Sequence, residues 1–138
     1  MSGGDVMSDG RVKVEALLED AHEALRCEDL ESALDLFQMA AQLEPDRLEI
    51  EGYVDLVRGQ LLKRYRDRIG DLQAVPRLLV PGGEVKRFNL PPDAGFVLSL
   101  VDGSTNFEQL VSLSGMAAFD ACRNLSALLD SGILGVDA

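Results

Sequence analysis

Tryptophan is absent from this chain of 138 residues, histidine occurs once, and cysteine and tyrosine occur twice each. With His22 as the only imidazole, a Ser-His-Asp or Cys-His site would depend on it, and no neighbouring motif supports one. Cys27 and Cys122 lie far apart with no CxxC pair, so they supply neither a clustered metal cage nor a redox motif. Two buried thiols in a reducing compartment, the cytoplasm, are the expectation. Neither GxxxxGKS/T nor GxGxxG occurs, so no phosphate-cradling loop is foreseen. The reading is therefore non-enzymatic, with no catalytic, metal-binding or cofactor-binding residue and no cofactor. The longest apolar run, Ala94 to Val101, is far short of the roughly 20 residues of a membrane helix, so no membrane insertion is expected.

Positive charge is also scarce. Thirteen Lys and Arg stand against 24 Asp and Glu, for a formal net charge of -11. Residues 1–70 carry 9 basic and 16 acidic side chains, and residues 71–138 carry 4 and 8. Neither half is basic, and a field of that sign repels phosphates, so nucleic acid is not the expected partner.

Hydrophobic residues make up 46% of the chain, enough for a packed core. The opening MSGGDVMSDG has no basic n-region and no apolar h-region, and residues 1–11 read as a flexible leader. Helical periodicity follows. The first stripe is Val14, Leu17, Leu18, Ala21, Ala24 and Leu25, and the second is Leu30, Ala33, Leu34, Phe37, Ala40 and Ala41. Asp29 is placed to cap the second helix. Pro45 stops it. Asp46, with Glu49 three residues on, is placed to cap a third, long helix, whose stripe is Ile50, Val54, Val57, Leu61, Tyr65 and Ile69. From Gly70 the texture changes. Arg77 to Val80 and Val85 to Leu90 read as short strands flanking Pro81-Gly82-Gly83. Pro92 suits a helix start, and Asp93 to Val101 fits that helix. Thr105 with Glu108 predicts a capping box for a helix from Asn106 to about Leu113. After the Gly115 break, a last helix runs from about Ala117 to Ser131 with Gly132 as its left-handed stop, and Ile133-Leu134 is placed to close the sheet.

Residues 14–47 resemble a tetratricopeptide repeat. Leu17, Ala21, Ala33, Phe37, Ala40, Leu43 and Pro45 fall at the large, small and terminal offsets of one period of about 34 residues. Asp20 and Ala24 depart from the pattern, and no second full repeat follows, so the helix over residues 47–69 is expected to cap the hairpin. The resemblance implies a groove lined by the first helix that takes peptides or partner helices. Here it would offer Glu15, Leu18, Glu19, His22, Leu25 and Arg26. The plainer reading is a scaffold packed on the third helix, and self-association is a further alternative.

Residues 71–136 resemble a small winged-helix-like module of bacterial signalling proteins, notably deltaproteobacterial ones. The similar stretches are Asp71 to Arg77, Gly95 to Gly103, Leu110 to Met116 and Leu128 to Leu134. The resemblance implies a regulatory association and no chemistry. A helix, a Gly115 turn, a helix and a strand is also the order of a DNA reader. Its second helix would expose Asp120, Arg123, Asn124, Ser126 and Asp130 over a core stripe of Ala118, Cys122, Leu125 and Leu129. One arginine against two aspartates suits a phosphate-lined groove poorly.

Lys63, Arg64, Arg66 and Arg68 form the one basic cluster. It is either a dock for an acidic partner or phosphate, or ordinary helix C-terminal chemistry with Asp67 and Asp71 as counter-charges. The fold expectation is mostly α: a leader over 1–11, a tetratricopeptide-like hairpin with a long capping helix over 12–70, and a winged-helix-like α+β module over 71–138. The function expectation is a non-catalytic adaptor binding another protein, with Leu18, His22, Leu25, Arg26, Lys63, Arg64 and Arg68 as the candidate partner-binding residues. The alternatives are a DNA-binding regulator and a self-assembling homo-oligomeric subunit.

Overall fold

The structure, a computed structural model, describes the backbone of residues 2–136 and the side chains of residues 12–136. The chain is mostly helical with one small sheet. In order it runs through α1 (Ser2–Arg26), α2 (Leu30–Leu43), α3 (Leu48–Ile69), β1 (Pro76–Leu78), a 3₁₀ segment (Gly82–Phe88), α4 (Pro92–Ser99), α5 (Phe107–Ser114), α6 (Ala118–Asp130) and β2 (Leu134–Val136). It divides into two compact units, 1–61 and 62–138, and the division falls inside α3. Of the leader read over 1–11, Met1 lies outside the described residues, and the backbone from Ser2 belongs to α1. Among the described residues no helix is long and apolar enough to cross a membrane.

In the first unit α1 packs along α2. The buried side chains Val14, Leu18, Ala21, Ala33, Phe37 and Ala40 lie on the faces that periodicity marks. The turn between them satisfies the end of α1 locally. The Asp29 N–H donates to the Ala24 carbonyl at 2.9 Å and the Glu28 N–H to the Leu25 carbonyl at 3.0 Å. This is a Schellman end, and it holds Glu28 at φ 61°, a left-handed position where glycine is usual. The Asp29 carboxylate then accepts the Ser32 N–H at 3.2 Å and caps α2. Hydrogen bonding from Ser32, first its side chain and then its N–H, keeps the Asp29 carboxyl below its ordinary pKa.

The entry to α3 differs from expectation. The helix begins at Leu48, so Asp46 stands outside the cap position. Arg47 occupies this turn instead: its backbone carbonyl accepts the Ile50 N–H at 3.1 Å. Its guanidinium donates to Glu15 of α1 at 2.8 Å, to Glu44 after α2 at 3.1 Å and to Glu49 of α3 at 2.5 Å. Three carboxylates converging on one fork tie the three helices at one end. The α3 stripe Ile50, Val54, Val57, Leu61, Tyr65 and Ile69 is buried throughout.

In the second unit α4, α5 and α6 pack on one another, and α6 packs on β2. Phe107, Leu110, Leu125, Leu128, Ile133 and Leu134 form the fully buried centre. The expected strand over Val85–Leu90 does not form. Residues 82–88 wind into the 3₁₀ segment, which Asn89 ends at φ 49°. β1 pairs with β2, antiparallel, with Pro76 opposite Val136, Arg77 opposite Gly135 and Leu78 opposite Leu134, so the chain after Gly132 closes the sheet as expected, one residue later than Ile133. The Thr105–Glu108 capping box is also displaced by one residue. Asn106 accepts the Gln109 N–H at 2.8 Å and Gln109 accepts the Asn106 N–H at 2.9 Å. Thr105 turns back to Asp102. On α6 the buried set is Ala121, Cys122, Leu125, Ser126, Leu128 and Leu129, so Ser126 faces inward and Ala118 outward, the reverse of their expected places. Gly132 ends α6 at φ 78°. Its Schellman bonds are Ile133 N–H to Leu128 carbonyl and Gly132 N–H to Leu129 carbonyl.

Candidate functional site

The α1 face contains most of the expected partner-binding residues, and the structure sorts them. Leu18 is buried and belongs to the core, so it offers no docking surface. Leu25 is half-buried. His22 is also half-buried and is held by rings. It meets Phe37 edge-on at 5.4 Å and Tyr53 edge-on at 4.9 Å, while Phe37 and Tyr53 stack at 5.0 Å. His22 is therefore part of an aromatic cluster linking α1, α2 and α3. Tyr53 was not singled out in the sequence, because it lies beside the α3 stripe and not on it.

On the solvent side of His22 lies an open recess of about 540 Å³ lined by Glu19, Asp20, His22, Glu23 and Arg26. Arg26 donates through Nε to Glu23 at 3.0 Å, and the two form an ion pair. That hydrogen bond, with the charge of the guanidinium, lowers the Glu23 carboxyl pKa. Glu19 and Asp20 are exposed at the rim. The recess thus presents three carboxylates and one arginine around the His22 ring, a net negative lining suited to a cationic side chain approaching from solvent.

The basic end of α3 is less uniform than its sequence. Lys63 and Arg64 are exposed. Arg68 donates to Asp130 of α6 at 2.5 Å, so its counter-charge is Asp130, and neither Asp67 nor Asp71 takes that part. Asp71 instead accepts the Gln73 N–H at 2.9 Å. Cys122 is buried, and burial pushes its thiol pKa up against the opposing charge of Arg66. Cys27 lies in the turn after α1 and is exposed, so of the two thiols expected to be buried only Cys122 is.

A third feature was not foreseen. A polar recess of about 670 Å³ opens at the start of α5, lined by Gln73, Ser104, Thr105, Asn106 and Gln109 among others. A helix N-terminus can bind an anion through its free N–H groups, but here those groups are already committed. Phe107 donates to the Ala74 carbonyl and Glu108 to the Leu72 carbonyl, both at 3.1 Å, and Gln109 donates to Asn106. The preceding turn is closed by Asp102, whose Oδ1 accepts the N–H groups of Ser104 and Thr105 and both their hydroxyls at 2.8–3.1 Å. These bonds, first the Ser104 N–H and then the Thr105 hydroxyl, bring the Asp102 pKa down to about 2. The strap 72–74 crosses α5 through long-range bonds that no local motif announces.

Among the described residues no group of three or more His, Cys, Asp or Glu side chains is placed to hold a metal ion. No family model, no curated protein and no solved structure matches the chain.

Proposed function

We propose that the chain is a non-catalytic protein–protein interaction adaptor of a bacterial signalling, motility or polarity system, acting in the cytoplasm. Its α1 face grips a lysine- or arginine-bearing segment of the partner. The observation that carries this reading is the recess at His22, where Glu19, Asp20 and Glu23 surround the imidazole. Net charge favours the same partner, since a chain at -11 attracts cationic segments at long range. The packed α1–α2 hairpin followed by the long α3 supports the tetratricopeptide-like reading, in which the first helix lines the groove. The order α5, Gly115 turn, α6, β2 supports the winged-helix-like reading of the tail. Arg123 against Asp120 and Asp130 on α6 favours a protein contact there over a phosphate backbone.

The test is photo-crosslinking in cells of origin. A photoreactive residue replaces Asp20, and as a control another replaces Leu79, which is exposed beside β1. The expected result is one stoichiometric adduct at position 20, mapping to a basic segment of a partner and lost in Glu19→Lys. An adduct formed only at position 79, or none at either, overturns the reading.

A further inference from the structure

The three carboxylates of the α1 recess are not equivalent. Glu19 and Asp20 are exposed, and among the described residues neither has a hydrogen-bond or ion-pair partner. Glu23 is engaged on both oxygens. Arg26 donates to its Oε2 from Nε at 3.0 Å and again from Nη2, and the Cys27 thiol donates to its Oε1 at 3.8 Å. The Arg26 and Glu23 side chains lie three residues apart on α1 and are 68% and 62% exposed. Their contact forms within one turn of helix and asks nothing of the remaining fold.

An arginine in the last turn of α1 has an ordinary explanation, since a cation there meets the negative end of the helix dipole. The dipole is served by the charge wherever the guanidinium points. Here the guanidinium lines the recess and lies on Glu23. A cation entering from solvent therefore meets two open carboxylates and a third that already holds a group of its own sign. It either stays on Glu19 and Asp20 beside a like charge, or it displaces Arg26 from Glu23.

We propose that Arg26 is a built-in competitor of the incoming cation, a clasp that occupies Glu23 until a lysine or arginine of the partner displaces it. The inference rests on the reading of the α1 face as a cation-binding surface. It reverses the role that helical spacing gives Arg26, which opposes the partner's cation instead of holding the partner. An exposed ion pair is worth little, so the clasp sets a threshold of about two- to fivefold in affinity and not a block. Its effect is selection. A single mobile cation gains little by replacing a guanidinium, whereas a segment already anchored on Glu19 and Asp20 presents its next cation to Glu23 at high effective concentration.

The experiment is a titration of the full chain with tetralysine, read by the amide NMR shifts of residues 19–27 at low ionic strength, where surface charge is least screened. These amides separate the recess from cation binding elsewhere on an acidic chain, and circular dichroism confirms the fold of each variant. The wild type titrates, and Arg26→Gln binds about two- to fivefold more tightly. Arg26→Gln combined with Glu23→Gln loses that gain, because the released carboxylate is gone. Lys86→Gln removes one positive charge at an exposed site outside the recess and leaves the affinity at these amides at the wild-type value. Shifts that appear in Arg26→Gln alone support the clasp in its strongest form. A wild type that titrates while Arg26→Gln binds no more tightly overturns the clasp and leaves the cation reading standing. So does a gain that persists in the double variant, or one of equal size in Lys86→Gln, either of which reduces the effect to net charge. Amides that move in neither the wild type nor Arg26→Gln overturn the cation reading and the clasp with it.

Discussion

Removal of the Phe37 ring tests the core of the first unit directly. Phe37 is fully buried, stacked on Tyr53 at 5.0 Å and met by His22 at 5.4 Å. Phe37→Ala deletes the ring common to three helices, and neither neighbour is long enough to refill the space. Buried Phe→Ala changes cost about 3–5 kcal/mol, part as lost transfer energy and part as residual cavity. A domain of ordinary size has about 5–15 kcal/mol in hand, and small units lie at the low end. The substitution therefore removes most of the stability of this unit. With a urea slope of about 1–1.5 kcal/mol/M, its midpoint falls by roughly 2–5 M. Phe37→Leu keeps most of the volume and costs about 1.5 kcal/mol or less. The assay is urea unfolding by far-UV circular dichroism, with amide hydrogen exchange read separately over residues 14–61. A loss below about 1 kcal/mol for Phe37→Ala, or equal losses for Ala and Leu, refutes the assignment of Phe37 to a packed aromatic core.

Two further outcomes follow from local geometry. Glu28 holds φ 61° at the Schellman end of α1, where Gly132 serves at the equivalent end of α6; Glu28→Gly relieves the side-chain penalty and raises stability by about 0.5–1 kcal/mol in thermal unfolding, and a destabilised variant contradicts the strained turn. Asp102, lowered from 3.8 to about 2 by its four hydrogen bonds, binds a proton less readily folded than unfolded. Its contribution is present above about pH 4 and lost as pH falls toward 2, so the stability gap between wild type and Asp102→Asn closes over that window. A carboxyl NMR titration placing the Asp102 midpoint near 4 contradicts the turn.

The helical part of the fold was legible because its signal is local and repeated. Each stripe in the first half predicts a buried face, and Ile50, Val54, Val57, Leu61, Tyr65 and Ile69 are all buried on α3. The stops at Pro45, Gly115 and Gly132 are fixed by backbone chemistry within one or two residues, and they fall where expected. The misses share one cause. A three-residue strand is defined by its partner: Ile133-Leu134 is expected to close the sheet and the chain there does pair with β1, but nothing between Pro76 and Leu90 excludes Val85–Leu90 as a further strand. The α5 cap slipped by one because Thr105 and Asn106 are both competent caps. Asp102 engages the Thr105 hydroxyl and leaves Asn106 to bond Gln109.

The candidate site was legible only as a face. Helical spacing puts Leu18, His22, Leu25 and Arg26 on one side of α1, but it does not say how far round that side the core extends. The structure places the boundary between Leu18, inside, and Glu19, outside. Tyr53 decides the role of His22, and it comes from a helix about thirty residues away, as Asp130 comes from still farther to meet Arg68. Charge partners at such separations are set by tertiary packing, and the i,i+3 or i,i+4 rule that nominated Asp67 and Asp71 sees only one helix at a time.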